Sequence, residues 1–454
     1  MTKASKTVGR RKPPVLSRRD FLKVAGTAVG GTLLGACGPS GSSRASPESG
    51  TVELVYQDWR TPWFPPMAQE MLDQFHATHP RIHVYYIPDP ENFENDMLQA
   101  FQSGTAPDIF QGCCAHFPIW AQRGYTLDLR PYVQADLDQA TIEDWDPAQY
   151  QAFFTADGMQ YGLPKYHGAL ALYYNKDLLD QYQVDYPEAS WDHDDYLEAM
   201  RRLTYDQEGD AQPGLYGSMC DVSWDRIQVH VNGWGGHLVD PEDPTRCTMC
   251  EPEAMAAMEW LRDRIVNDRI MATVSGGQSL GTREAFVAGQ VAMVEDGSWA
   301  LKDILNGADF RIGVAPFPSG PVRKVTLATT DGFGIYSGTR NPEAAWELVK
   351  FLISQDYGRA MARANFLQPA RASLVEDWIG YIRQGYPDQT AEVDLAAFAD
   401  GQIHGYSVVA EVFANMAEAK QIAYEAWDQI YTLGQPLVEQ MEAACRRIQA
   451  AQQD

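Results

Sequence analysis

The pattern that most limits this chain opens its globular part. A β-rich run, TVELVY, occupies 51–56; Met67, Met71, Leu72 and Phe75 then recur at helical spacing over 65–76; a second β-rich run, IHVYYI, follows at 82–87. A strand, a helix and a strand within about 37 residues form a βαβ unit, and the helix carries the chain back so that both strands run parallel. Residues 95–101 supply the next helix and 107–110 the start of a third strand, which predicts an open α/β sheet. In such a sheet ligands bind beyond the carboxyl ends of the strands. The segments to inspect are therefore 57–63 and 111–117.

The alternation continues. The apolar run 169–174 reads as a strand leading into a helix at 176–182, and 191–203 reads as a helix with Asp192 near its start and Tyr196, Met200 and Leu203 on one face. Helices are also predicted over 253–266, 341–354 and 411–431. A chain of this length exceeds what one core of about 250–300 residues organises, so two lobes are expected.

Ahead of this body, Ser17-Arg18-Arg19-Asp20-Phe21-Leu22-Lys23 precedes a weakly apolar stretch and Leu34-Gly35-Ala36-Cys37. The stretch falls short of the roughly 20 strongly apolar residues a spanning helix needs. It reads as a twin-arginine export signal, 1–36, ending in a lipoprotein cleavage box. Cleavage would leave Cys37 to carry a lipid, with 37–50, rich in Gly and Ser, as a flexible tether. The expected location is the outer face of the cell membrane. Residues 1–36 hold eight bases and one acid, a charge of +7, so their removal takes the chain from −25 to about −32. A surface this acidic argues against nucleic acid as the ligand.

Aromatic residues make up 11% of the chain, enough to line a cleft as well as fill cores. Six cysteines follow Cys37: Cys113, Cys114, Cys220, Cys247, Cys250 and Cys445. An even number outside the cytoplasm permits disulfides. Cys247 and Cys250 have the spacing of half a zinc site or of a local disulfide, with free thiols the third option. Cys113 and Cys114 are either small buried residues or a strained vicinal pair. No second metal motif accompanies them, so neither a metal nor a cofactor is expected.

Several segments together resemble the extracellular solute-binding protein family 1, the sugar-type binding lipoproteins of ABC importers. They are Phe75-(x)4-Pro80-(x)3-Val84, Gly104-Thr105-Ala106-Pro107-Asp108-Ile109, and Gly162-Leu163-Pro164 with Leu172-Tyr173-Tyr174-Asn175-Lys176-Asp177. Phe286-(x)2-Gly289-Gln290-Val291-Ala292-Met293 with Gly297-Ser298-Trp299-Ala300 follows, then Gly332-Phe333-Gly334-Ile335 with the segment from Pro342 to Leu352. They occur in family order across 51–450.

The resemblance implies a type II periplasmic-binding-protein-like fold: two α/β lobes, each an open sheet, joined by hinge strands. Lobe 1 would hold 51–163 and 329–367, lobe 2 166–327 and 369–450, with crossings near Pro164, Thr329 and Gln368. It further implies closure of the lobes around a small solute, here a mono- or oligosaccharide or related polyol, and delivery to ABC permease subunits by a monomer.

Candidate ligand residues lie at strand ends facing the hinge: Trp59, Arg60 and Trp63, then Cys114 and His116, then Tyr166 and His167. Lobe 2 would add Trp224, Asp225 and Trp234, with Trp299 after the Ala292-Met293 strand, where similar proteins stack a sugar ring. Asp331 and Gly332 sit at the second crossing, and Phe413 lies in a late helix. A pyranose has apolar C–H faces and a hydroxyl edge; Trp59, Trp63, Trp224 and Trp299 offer flat platforms, and Arg60, Asp225 and Asp331 offer edge partners. The loop from Gly112 to His116 departs from the family by lacking the aromatic or acidic residues that sugar binders often place there.

Two alternatives remain. One is a non-sugar solute, such as a polyamine, peptide or metal chelate. The other is an extracytoplasmic polysaccharide-active enzyme, against which stands the lack of a nucleophile elbow, HExxH, Walker A or GxGxxG motif at a strand-to-helix junction.

Overall fold

The computed structural model describes residues 50–114, 116–204, 214–274 and 280–453. The export signal, Cys37 and nearly all of the tether lie outside them.

The described residues open with three parallel strands, β1 (Val52–Asp58), β2 (Ile82–Pro88) and β3 (Ile109–Gly112), β1 pairing with both others. The helix Phe64–Thr78 returns the chain from β1 to β2. Pro65 and Pro66 start it where missing N–H groups cost nothing, and Phe64, Met67, Ala68, Met71, Leu72 and Phe75 are buried along one stripe. Helix Phe93–Ser103 ends at Gly104, whose φ of 69° is the left-handed turn that glycine adopts without steric cost.

A short strand β4 (Leu163–Pro164) precedes β5 (Leu170–Asn175), which belongs to a second sheet and is buried at every position. There β6 (Tyr216–Cys220) pairs in parallel with β7 (Met271–Thr273) and β8 (Val291–Gly297), while β5 runs antiparallel between β8 and β9 (Ile312–Pro316). After a two-residue β10 (Thr326–Leu327) the chain rejoins the first sheet as β11 (Gly332–Ile335), antiparallel to β3 and β4. The sheet orders are β2-β1-β3-β11-β4 and β7-β6-β8-β5-β9. A last pair joins β10 to β12 (Ser407–Val408).

Each sheet has its own core. Helices Phe64–Thr78, Pro342–Leu352 and Gln355–Asn365 cover the first, and Trp346, Leu348 and Tyr357 are buried there. The second is covered by Trp224–Gly233, Pro252–Arg262, Met416–Trp427 and Leu437–Ala451 on one side and by Val375–Gly385 on the other. Helix His193–Leu203 opens with a reciprocal capping box between Asp192 and Asp195.

Two expectations are corrected. Cys250 is bonded to Cys445, tying the loop before helix Pro252–Arg262 to the C-terminal helix, and Cys247 is free. Cys247 and Cys250 therefore form neither a local disulfide nor half a metal site: the partner of Cys250 comes from packing of two helices, which spacing cannot report. The predicted helix at 411–431 starts only at Met416. The Glu411 carboxylate accepts from the backbone N–H groups of Leu238 and Val239 and from Asn232, and that tertiary role holds its segment out of the helix.

Candidate functional site

The three segments around Pro164, Thr329 and Gln368 lie side by side. The His167 N–H donates to Gln368 O at 3.0 Å, the Thr329 N–H to Gly168 O at 2.9 Å, and the Lys165 N–H to Asp331 O at 3.0 Å. The Gln149 amide bridges two of them, donating to Tyr166 O at 2.9 Å and Thr329 O at 2.5 Å.

Polar groups collect where these segments meet the strand ends of the first sheet. Asp58 closes β1 and is buried; its carboxylate accepts from Lys165 Nζ and Tyr56 Oη and from the Trp59 N–H at 2.7 Å. Burial pushes the Asp58 carboxyl up and the Lys165 ammonium down, and their mutual attraction acts against both shifts. Asp89, just past β2, accepts from Gln111 at 3.1 Å and Gln57 at 3.3 Å; burial, then the Asp58 charge, raises it to about 7. Asp331 is also raised to about 7, by burial first and with Asp58 and Asp225 adding to it against the pull of Lys165. Asp225 stands in the first turn of the helix after β6, so a charge carried beside the second sheet reaches Asp331 beside the first.

Aromatic faces frame the group. The Trp59 ring lies under Lys165 Nζ and meets Tyr166 edge-on at 5.3 Å between centroids. Trp299, after β8, packs against the cores of both sheets. A Cβ on Gly168 or Gly297 would overlap its indole, so those glycines set its position. The Arg226 guanidinium stands 5.5 Å from the Trp299 ring centroid and 3.5 Å from Asp296, and its buried Nε has no hydrogen-bond partner. Gln111 Oε1 is likewise buried without one.

Of the predicted residues, Trp59, Cys114, Tyr166, Asp225 and Asp331 belong to this group, and Trp299 meets the first crossing at Gly168. Arg60 is exposed and pairs with Glu91 at 3.2 Å, and Trp63 packs beside Trp59. The other six do structural work. His116 sits in an aromatic cluster with Phe93 and Trp120 and faces Glu94 at 3.2 Å. His167 is fully buried between Gln368 and Asp146. Trp224 is core, donating through Nε1 to Glu411 O and packed on Phe413 and Trp427; Phe413 is fully buried and precedes the late helix. Trp234 packs on His193 and Trp260 away from this group. Gly332 is pressed on Phe153, leaving no room for a side chain.

Reading strand ends from sequence missed Asp58, Asp89, Gln111, Lys165 and Arg226. Asp58 and Gln111 lie inside the segments 57–63 and 111–117, Lys165 directly follows Gly162-Leu163-Pro164, and Arg226 follows Asp225. Their signal was position, and it was passed over because a buried charge is recognisable only once its partner is known.

Among the described residues one set of metal-type ligands converges, Cys220, His230 and Glu295, within 4.8 Å. A hydrogen-bond chain already uses it. His193 Nδ1 donates to Ser319 O at 2.7 Å, so its Nε2 accepts from His230 Nδ1 at 3.0 Å, and His230 Nε2 faces Glu295 at 3.1 Å. Burial, then the His230 charge, pushes His193 down to about 3, keeping it neutral as the chain requires.

Comparison with known proteins adds the following. The family model for bacterial extracellular solute-binding proteins matches residues 60–359. A binding protein of Brucella abortus is 24% identical over 337 residues, 71% of this chain and 76% of that one. The galactooligosaccharide-binding protein of Bacillus subtilis is 22% identical over 352 residues, 76% of this chain and 79% of that one. An ABC substrate-binding protein of Listeria monocytogenes, solved in complex with cycloalternan, superposes with a TM-score of 0.74 at 21% identity over 88% of this chain and 98% of that one. At that identity the likeness speaks to fold, and the fold is two-lobed.

Proposed function

The chain belongs to the bacterial extracellular solute-binding protein family, and from that premise we propose that it captures a carbohydrate or related polyol between two lobes and hands it to the permease of an ABC importer. In this reading lobe 1 comprises 51–163 with 329–367 and lobe 2 comprises 166–327 with 369–450. The side-by-side segments near Pro164, Thr329 and Gln368 form the hinge, and closure is stabilised by contacts to both lobes. The twin-arginine signal exports the chain, a lipid on Cys37 holds it at the membrane, and it works as a monomer without catalysing a reaction.

One observation carries the ligand class: the Trp59 indole lies against Lys165 beside carboxyl groups that burial raises to about 7, and Trp299, seated against Gly168 of the first crossing, carries Arg226 with an unpartnered N–H over its ring. Flat indoles suit the C–H faces of a sugar ring, and carboxyl groups able to donate as well as accept suit hydroxyls. Relatives and structural neighbours that bind oligosaccharides support the same class. The convergence of Asp58, Asp89, Asp225 and Asp331 favours a second reading, an amine solute, but Lys165 already neutralises Asp58, and Asp89 and Asp331 resist ionisation.

The test is a thermal-shift screen of residues 51–454 against mono- and oligosaccharides, polyols, polyamines and divalent metals. A solute at about 100 times its Kd adds roughly 2.7 kcal/mol to the native state, a readable rise. A rise with a saccharide or polyol that disappears in Trp299→Ala is expected. A rise with amines or metals alone overturns the ligand class.

A further inference from the structure

The adjacent cysteines after β3 stand beside the group described above, and the proposed capture of a solute leaves their thiol chemistry unused. Cys113 Sγ and Cys114 Sγ stand 2.8 Å apart, so a shift of under about 1 Å would bring them to the roughly 2.05 Å of a bond. The backbone there is unusual: Cys114 has a φ of 55°, a left-handed conformation rarely adopted by a residue with a side chain. Cys114 is exposed and Cys113 half-buried, and His116 Nε2 lies 3.6 Å from Cys113 Sγ, within hydrogen-bond reach of the sulfur. The same chain carries the Cys250–Cys445 disulfide.

We propose that Cys113 and Cys114 form a reversible redox couple, closing to a vicinal disulfide ring by exchange with a small or protein disulfide. The exposed Cys114 thiolate attacks the oxidant, forming a mixed disulfide and releasing one thiol. Cys113 Sγ then attacks Cys114 Sγ, forming the intramolecular bond and releasing the second thiol. Two S–H bonds are lost from the protein, one S–S bond is gained, and the oxidant's disulfide leaves as two thiols carrying both protons. The hydrogen bond with Cys114, then burial, holds the Cys113 thiol well above its usual range, which favours Cys114 as the first nucleophile.

The ring would border the Asp331, Lys165 and Tyr166 group, whose electrostatic environment includes these two sulfurs. Closure replaces two S–H donors by a donor-free apolar face, so redox state alters the wall offered to a solute. This last step rests on the reading of that group as the binding cleft; formation of the bond does not.

The full chain is treated with excess oxidised glutathione, unfolded, alkylated and digested. The peptide spanning Cys113 and Cys114 is expected lighter by two hydrogens and without alkyl label. Because Cys114 is exposed, the ring should reopen at roughly tenfold lower reductant than Cys250–Cys445. In Cys113→Ser, Cys114 should retain glutathione as a stable mixed disulfide. Two alkyl labels on the oxidised wild-type peptide, or glutathione persisting on wild-type Cys114, overturn the proposal, and an unmodified Cys114 in Cys113→Ser overturns the stepwise route. The readout is a mass and involves no solute, so its failure is separable from failure of the carbohydrate reading.

Discussion

The ammonium of Lys165 stands 3.2 Å from the centroid of the Trp59 indole while donating to Asp58, and both charged side chains are shut off from solvent. A buried charge whose partner is removed is costly, far more so than the pair is worth. Lys165→Met is expected to destabilise the protein by about 3–5 kcal/mol in urea denaturation, with the double variant Asp58→Asn/Lys165→Met recovering most of the loss. Equal losses in the single and double variants would show that Lys165 acts through packing alone.

The raised carboxyls have a pH signature. Asp331 titrates near 7 when folded and near 3.9 when unfolded, so between those values the native state holds the proton more tightly and its stability falls as pH rises. Asp331→Asn removes this dependence. The stability of wild type minus that of Asp331→Asn should therefore decline from about pH 4 to about pH 7, by up to a few kcal/mol, and flatten above. Denaturation midpoints at four or five pH values measure it; a rising difference would mean that Asp331 is held ionised.

The Cys250–Cys445 bond joins residues 195 apart in sequence. Cross-links over long loops restrict the unfolded chain most, so Cys445→Ser should cost about 2–5 kcal/mol. Cys247→Ser, at a free thiol, should stay within about 0.5 kcal/mol of wild type. Comparable losses in both would place Cys247 in the cross-link.

Gly297 offers a test of the proposed binding site. A side-chain methyl there would overlap the Trp299 ring and turn it from its seat. For a saccharide identified in the screen, Gly297→Ala should lower affinity at least about tenfold by calorimetry, roughly 1.4 kcal/mol. Trp234→Ala, in its separate cluster with His193 and Trp260, should leave affinity within about twofold. The reverse ranking would move the site to the Trp234 side.

The contrast between these two tryptophans shows how far sequence reading reached. Trp299 was singled out for its place just after a strand within a recognisable segment, and the structure sets it against the cores of both sheets. Trp234 and Trp224 looked similar but have turned into the second core, Trp224 with its indole N–H bonded to Glu411 O. Nothing local separates an indole that faces a cleft from one that faces a helix arriving from two hundred residues away.

The same division runs through the protein. Local periodicity and turn chemistry determined the βαβ opening, the burial stripe of Phe64–Thr78, the capping box at Asp192 and the left-handed stop at Gly104, because each depends on residues within a few positions of one another. Motif order determined the family. Only the tertiary structure decided that Asp58 pairs with Lys165, that Cys250 pairs with Cys445, and that Glu411 serves backbone groups near 238 instead of a helix. A charge, a thiol or a carboxylate is stable in the interior only against a specific partner, and that partner is supplied by packing of segments far apart in sequence.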